Sequence, residues 1–179
     1  MQPSPRPPAA RVSVLGKPGL RTAHSLRACL GRFVTGVTVV TFQGADSRQG
    51  LTINSFSSVS MQPPLIMVSV ARTAQAHDAL RDRRFCVNVL GAEQEQVARH
   101  FAGGGSGTPR WADDPAVPRL ADALAHITCE PWGAYDGGDH TIFLGEVSGF
   151  DYRSGDALAY ANSRFTTVAE PVLGHEYLM

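Results

Sequence analysis

The sequence predicts a mainly β fold with peripheral helices, an antiparallel barrel rather than a doubly wound parallel sheet. Short runs rich in Val, Ile, Phe and Thr recur along the chain: VTVVTF at 37–42, LIMVSV at 65–70 and FCVNVL at 85–90. Short turns join most of them, and Asp136-Gly137-Gly138-Asp139 is a strong hairpin signal. Helical patterns are few and do not alternate with strands as βαβ units require. The pattern gives roughly six to eight strands and two or three helices in one domain without internal repeats.

Each element has its own warrant. Thr22 caps a helix over 23–33 that sets Leu26, Leu30 and Phe33 on one face, and Gly36 ends that unit. The strand at 37–42 turns through 44–48 into a strand at Leu51. Residues 50–73 then organise the chain: an apolar start, six small hydrogen-bonding residues (Thr52, Asn54, Ser55, Ser57, Ser58, Ser60) around Phe56, a stop at Pro63-Pro64, and the strand 65–70. Thr73 caps a helix over 74–83, and 85–90 is the next strand. A short helix over 93–101 places Val97 and Phe101 on one face. The GGGSG run within 102–111 is a flexible loop that matches no phosphate-loop spacing, and 113–118 is a polar turn. A long strand over 125–135, bent at Pro131, passes through the glycine hairpin into 140–150, and strands at 157–160 and 164–168 complete the sheet.

Composition removes several function classes. The 179 residues carry 16 basic and 16 acidic side chains, with none of the basic excess of a nucleic-acid binder. Charged residues make up 18% and hydrophobic ones 43%, consistent with an exterior partly covered by another subunit. Cys29, Cys86 and Cys129 are far apart and odd in number, which fits reduced thiols better than a disulfide framework or a zinc site. There is no apolar signal core and no run of about 18 apolar residues, so the sequence reads as cytoplasmic, without a membrane association. Residues 1–21 hold five prolines and four basic residues with no acid, and are expected to be a disordered extension ahead of a domain at 22–179.

Catalytic motifs are sparse. There is no G-x-S-x-G elbow, and the serines of 55–60 lack a local base. The six histidines show no metal-ligand spacing, so no metal is expected. Asp113-Asp114 lies in a turn beside prolines, where solvation accounts for it. The hydroxyl-rich stretch suits a flat, polar, phosphate-bearing ligand, with Arg72 to supply charge; it also reads as a Ser-rich connection between strands. His140 stands where the glycine hairpin enters a strand, either as a surface group or as a residue projecting into a cleft. With a flavin in that stretch no acid–base dyad is needed, because the isoalloxazine accepts the hydride and the protein supplies position.

Four blocks in order, TGVTVVT at 35–41, GLTINSFSSVSMQPPLIMVSV at 50–70, FCVNVL at 85–90 and GDHTIFLGEV at 138–147, resemble the short-chain flavin reductase family over about 26–168. That family contains the small reductase components of two-component flavin-dependent monooxygenases. The resemblance implies an FMN-binding split β-barrel, a homodimer with flavin sites near the subunit interface, and NADH- or NADPH-dependent reduction of FMN or FAD for a partner monooxygenase. It places Thr35, Gly36, Val37 and Thr38, with Thr52, Ile53, Asn54, Ser55, Phe56, Ser57 and Ser58, along the isoalloxazine and ribityl chain. Ser69, Ala71, Arg72, Thr73 and Gln75 would sit by the phosphate, and His140 would meet the nicotinamide as the catalytic residue. Tyr160 and Phe165 would help to hold the nicotinamide; Phe165 stands where the family often has a tyrosine, and Arg110-Trp111 where it often has a basic residue followed by Phe. A non-enzymatic flavin carrier on the same fold would keep the hydroxyl-rich stretch without using His140. A pyridoxamine-phosphate-oxidase-like enzyme would need a second cluster of basic residues.

Overall fold

The computed structural model describes residues 20–105, 108–112 and 117–169. In chain order its elements are α1 (Leu20–Leu30), β1 (Thr35–Gly36), β2 (Thr38–Gln43), β3 (Arg48–Ile53), β4 (Ser57–Met61), β5 (Pro64–Ala71), β6 (Phe85–Val89), α2 (Glu95–Phe101), β7 (Trp111–Ala112), β8 (Arg119–Leu120), β9 (Ala125–Gly137), β10 (His140–Tyr152), β11 (Ala157–Ala161) and β12 (Arg164–Val168). The main sheet runs β3-β2-β6-β9-β10-β5-β4, a second sheet runs β1-β11-β12, and β7 pairs with β8. Every pairing of named strands is antiparallel.

A seam of backbone hydrogen bonds joins the two larger sheets. Val37 N donates to Leu158 O at 3.1 Å, Leu90 N to Val37 O at 3.0 Å, and Leu158 N to Leu90 O at 3.0 Å. β3 and β4 stay as edges, so the main sheet curls without closing, and the architecture is a split β-barrel. Strand β2 explains its own sequence. Successive side chains point to opposite faces, and here both faces are covered. Val40 and Phe42 enter a core with Ile66, Val68, Phe85 and Phe143, while Val39, with Val37 just ahead of the strand, enters a second core with Leu90, Leu120 and Leu158.

The long hairpin follows its local signals. β9 and β10 are joined by the two-residue turn Gly138-Asp139, with Gly138 at φ +79°. The ladder shifts register beside Pro131, where Pro131 opposes Gly145 and Gly133 opposes Leu144. The expected helix over 93–101 is a short 3-10 turn, Ala92–Gln94, followed by α2.

Three expectations are corrected. The helix over 74–83 is replaced by turns and one 3-10 turn, Asp78–Arg81. Here packing overrides propensity: buried His77 bonds Thr141 Oγ1 at 2.8 Å, and Ala76 and Leu80 join the first core. Ser57–Met61, read as part of a loop or ligand surface, is an edge strand paired with β5. Helix α1 starts before Thr22 and stops before Phe33, and Leu26, Leu30, Phe33 and Val34 are all exposed. Most of the 1–21 extension and the Asp113-Asp114 turn lie outside the described residues.

Candidate functional site

A cleft of about 640 Å³ opens beside the seam between the two sheets. Val37 enters from the β1–β2 junction, and Thr52, Ile53 and Asn54 come from the end of β3. Glu95, Arg99, Ala102 and Gly104 come from α2 and the turn after it, and Tyr160, Ser163, Arg164 and Phe165 from the β11–β12 hairpin. Helix α2 seats itself on β3 through two local features. Thr52 Oγ1 donates to Ala98 O at 2.7 Å, and a Cβ on Gly50 would lie 2.9 Å from the Phe101 ring.

The cleft has an aromatic wall with its own support. Phe165 meets Tyr160 edge to face at 5.4 Å, and the Arg99 guanidinium lies 5.1 Å from the Phe165 ring centroid. Arg99 Nε and Nη2 both donate to Glu95 Oε1, at 2.8 and 2.6 Å. Thr35 Oγ1, on the strand paired with Tyr160, is buried without a hydrogen-bond partner among the described residues.

From the cleft, a band of residues crosses the sheet to the β9–β10 turn. Ser55 Oγ donates to Ser69 O at 2.8 Å and accepts from Ser69 N at 3.0 Å. Ser69 is opposite Ile142, and two residues further on, about 7 Å along the strand, His140 is opposite Ala71. Arg72 lies beyond, its Nη2 donating to Asp136 Oδ1 at 2.7 Å. His140 Nδ1 donates to Asp139 Oδ1 at 2.7 Å, and its Nε2 makes no hydrogen bond among the described residues. That bond holds the Asp139 carboxyl below its usual range. The Gly138 N–H and then the Arg72 charge do the same for Asp136.

The structure thus divides the residues singled out by sequence. Val37, Thr52, Ile53, Asn54, Tyr160 and Phe165 meet in the cleft; Ser55, Ser69, Ala71, Arg72 and His140 lie along the band. Thr73 and Gln75 are exposed in the turn after β5. Thr38 is buried, its hydroxyl donating to Ile53 O at 3.2 Å. Phe56 and Ser58 line a second, apolar groove of about 360 Å³ with Met61, Ile127, Phe150 and Tyr152, and Ser57 is exposed on β4. Within one chain, His140 does not line the cleft that holds the Tyr160–Phe165 pair. Sequence reasoning missed Glu95, Arg99 and Arg164, whose common address is set by the fold alone.

Chemically, the cleft offers apolar faces with an amide and hydroxyls at its edge, on the scale of a small-molecule pocket. Such a lining fits a planar heteroaromatic ring with a hydrogen-bonding rim, and the partnerless Thr35 hydroxyl is one group that such a rim or a second subunit can satisfy. Thiol chemistry is disfavoured, since burial pushes Cys86 and Cys129 up to about 12. Among the described residues no cluster of His, Cys, Asp and Glu is placed to hold a metal, and no helix is long and apolar enough to cross a membrane.

The profile of the flavin reductase-like domain matches residues 30–169. The chain belongs to this family. Among relatives of this flavin reductase-like domain is the FMN reductase (NADH) SmoA of Agrobacterium fabrum, 38% identical over 152 residues, which span 83% of this chain and 87% of SmoA. The reductase component of a 4-nitrophenol 4-monooxygenase/4-nitrocatechol 2-monooxygenase from Rhodococcus opacus is 35% identical over 145 residues, 78% of this chain and 77% of that one. The solved structure of the NADH:FAD oxidoreductase SgcE6 of Streptomyces globisporus superposes with a TM-score of 0.79 at 37% identity, over 98% of this chain and all of that one.

Proposed function

We propose that this flavin reductase-like domain passes a hydride from NADH or NADPH to FMN or FAD and releases the reduced flavin to a separate monooxygenase. The observation that carries the reading is convergence: Val37, the Thr52–Asn54 segment and the Tyr160–Phe165 pair, far apart in sequence, wall one cleft. The relatives' names support it, as an FMN reductase, an NADH:FAD oxidoreductase and a monooxygenase reductase component. When bound, the flavin supplies the ring that takes up the hydride. The chain's own residues bind and orient. Val37, Ile53 and Phe165 cover apolar faces, Asn54 serves the ring's polar edge, and the band from Ser55 to Ala71 follows the extended ribityl chain. His140, with Nδ1 fixed by Asp139, offers Nε2 to the nicotinamide.

The working unit in this reading is a homodimer in the cytoplasm. Phe33 is 76% exposed, Met61 81%, Phe150 71% and Tyr152 79%, more large apolar surface than a monomer of this size usually leaves to water. A site between two copies also lets one copy's His140 act on a ligand held in the other's cleft.

The test follows absorbance at the nicotinamide band with purified protein, NADH or NADPH, and each flavin. Consumption of the nucleotide that depends on flavin is expected. His140→Ala should slow it by at least about tenfold while flavin affinity moves by less than about threefold. Flavin binding without nucleotide oxidation would make the protein a carrier and remove the enzymatic reading.

A further inference from the structure

Two arginines line the cleft, and the situations of their guanidinium groups differ. That of Arg99 is committed twice, to Glu95 Oε1 through both Nε and Nη2 and to the face of Phe165. Arg164 lines the same cleft and makes no ion pair or side-chain hydrogen bond among the described residues. Arg72, the cation that sequence offered for a phosphate, is instead paired with Asp136 at the β9–β10 turn. Among the described residues, the cleft's arginine without an ion pair is therefore Arg164, which is exposed.

Its position is fixed from the backbone up. Arg164 follows a tight hairpin turn in which Asn162 and Ser163 have φ of 51° and 61°, both positive, as a two-residue primed turn requires. Asn162 N donates to Gly31 O at 2.7 Å, which ties the turn to the segment after α1. The ladder pairs Ala161 with Arg164 and Tyr160 with Phe165, so the hairpin fixes the cation at the position next to the aromatic pair, with strand alternation setting it on the other face of the ribbon. An exposed guanidinium whose backbone is fixed by a tight turn at an apolar cleft is suited to a forked, charge-assisted bond with phosphate oxygens.

We propose that Arg164 is the phosphate anchor of the nucleotide entering this cleft. This rests on the flavin reductase reading, in which both ligands carry phosphate. The shared chemistry is a phosphate ester or diphosphate; with the flavin ring in the cleft and its ribityl chain along the Ser55–Ala71 band, the pyridine nucleotide is the expected source, and a flavin phosphate at Arg164 would reverse that placement.

The test uses the full-length chain with Arg164→Gln and Arg164→Lys. Affinity is read for FMN against riboflavin by flavin fluorescence, and KM for NADH against reduced nicotinamide riboside. In one of the two pairs, Arg164→Gln should weaken the phosphate-bearing member by about 10- to 100-fold and its phosphate-free partner by less than about twofold. The affected pair identifies the source of the phosphate. Arg164→Lys should recover part of the loss, and added salt should shrink the effect of Arg164→Gln. Equal losses within each pair would make Arg164 structural, and no loss in either would remove it from binding; both overturn the proposal. Native protein that turns over while Arg164→Gln shows no phosphate discrimination sinks this inference alone. Native protein that binds both ligands without turnover sinks the reductase reading alone, and binding still reports on Arg164. Protein that binds neither ligand overturns both.

Discussion

Asn88 shows how much of this fold rests on single buried polar groups. Fully buried in β6, it donates through Nδ2 to Val39 O at 2.8 Å and to Thr41 Oγ1 at 2.9 Å, and its Oδ1 accepts from Leu120 N at 2.8 Å. Thr41 Oγ1 in turn donates to Pro118 O, so one amide ties β2, β6 and the chain around β8 together. Leu120 belongs to the core that backs the cleft. Replacing Asn88 by Ala leaves buried donors and acceptors unmatched, and should cost about 3 kcal/mol in a denaturant titration. A second residue gives the fold an acid limit. His126 Nδ1 and Arg119 Nη1 donate to the two oxygens of Asp151, and the His126 bond is the main cause of its lowered carboxyl pKa. A carboxyl lowered on folding adds stability above its unfolded pKa of about 3.9, and that stability is lost as pH falls through the folded value. Asp151→Asn should therefore melt below the native protein at pH 7, and the gap should close as pH drops below about 4. A gap that persists unchanged to low pH would show that the carboxylate charge is not what matters.

At the scale of elements, the β9–β10 hairpin was the most legible part because its signals are local. A glycine turn, apolar alternation and a proline at the bend lie in sequence beside the structure they cause. At the bend, Gly145 opposes Pro131, and a Cβ there would meet Phe85 Cζ at 2.6 Å and Cys129 Cβ at 2.8 Å. Both neighbours are fully buried and have no room to yield, so Gly145→Ala should cost about 2 kcal/mol by thermal or denaturant unfolding, without loss of secondary structure. Strand β4 was illegible for the opposite reason. Ser57, Ser58 and Val59 are all exposed on an edge, so no alternation marks the strand and its small hydroxyls resemble a loop. The segment 74–83 carries good helix formers, and only the pairing of His77 with Thr141, 64 positions away, shows why it stays in tight turns. The site divides along the same line. Thr52, Ile53 and Asn54 were marked by a dense local motif, whereas Glu95, Arg99 and Arg164 sit in ordinary surroundings. Nor could sequence show that Arg72 is matched by Asp136, because that pair exists only once β5 lies beside the hairpin.

For the whole molecule, the open question is how one ligand meets both ends of the residue set. The split barrel puts Tyr160, Phe165 and Asn54 around the cleft on one side of the seam and His140 at the tip of the long hairpin. Leu26 and Leu30 of α1, Phe33 just after it, and Met61, Phe150 and Tyr152 are left uncovered among the described residues. In the homodimer proposed above, a twofold arrangement that covers such surfaces would also let each copy's hairpin meet the other copy. If the site is shared in this way, two separately crippled chains can complement each other. His140→Ala keeps an intact cleft, and Asn54→Trp fills the cleft while keeping His140. Alone, each should be nearly inactive in flavin-dependent NADH oxidation. Unfolded together and refolded as an equal mixture, they should recover about a quarter of native activity, since half the dimers are mixed and each carries one intact site of two. If His140 serves the cleft of its own chain, no mixed dimer contains an intact site and the mixture stays inactive. Sedimentation of the same samples checks that dimers formed in both cases, so a silent mixture counts against the shared site and not against refolding.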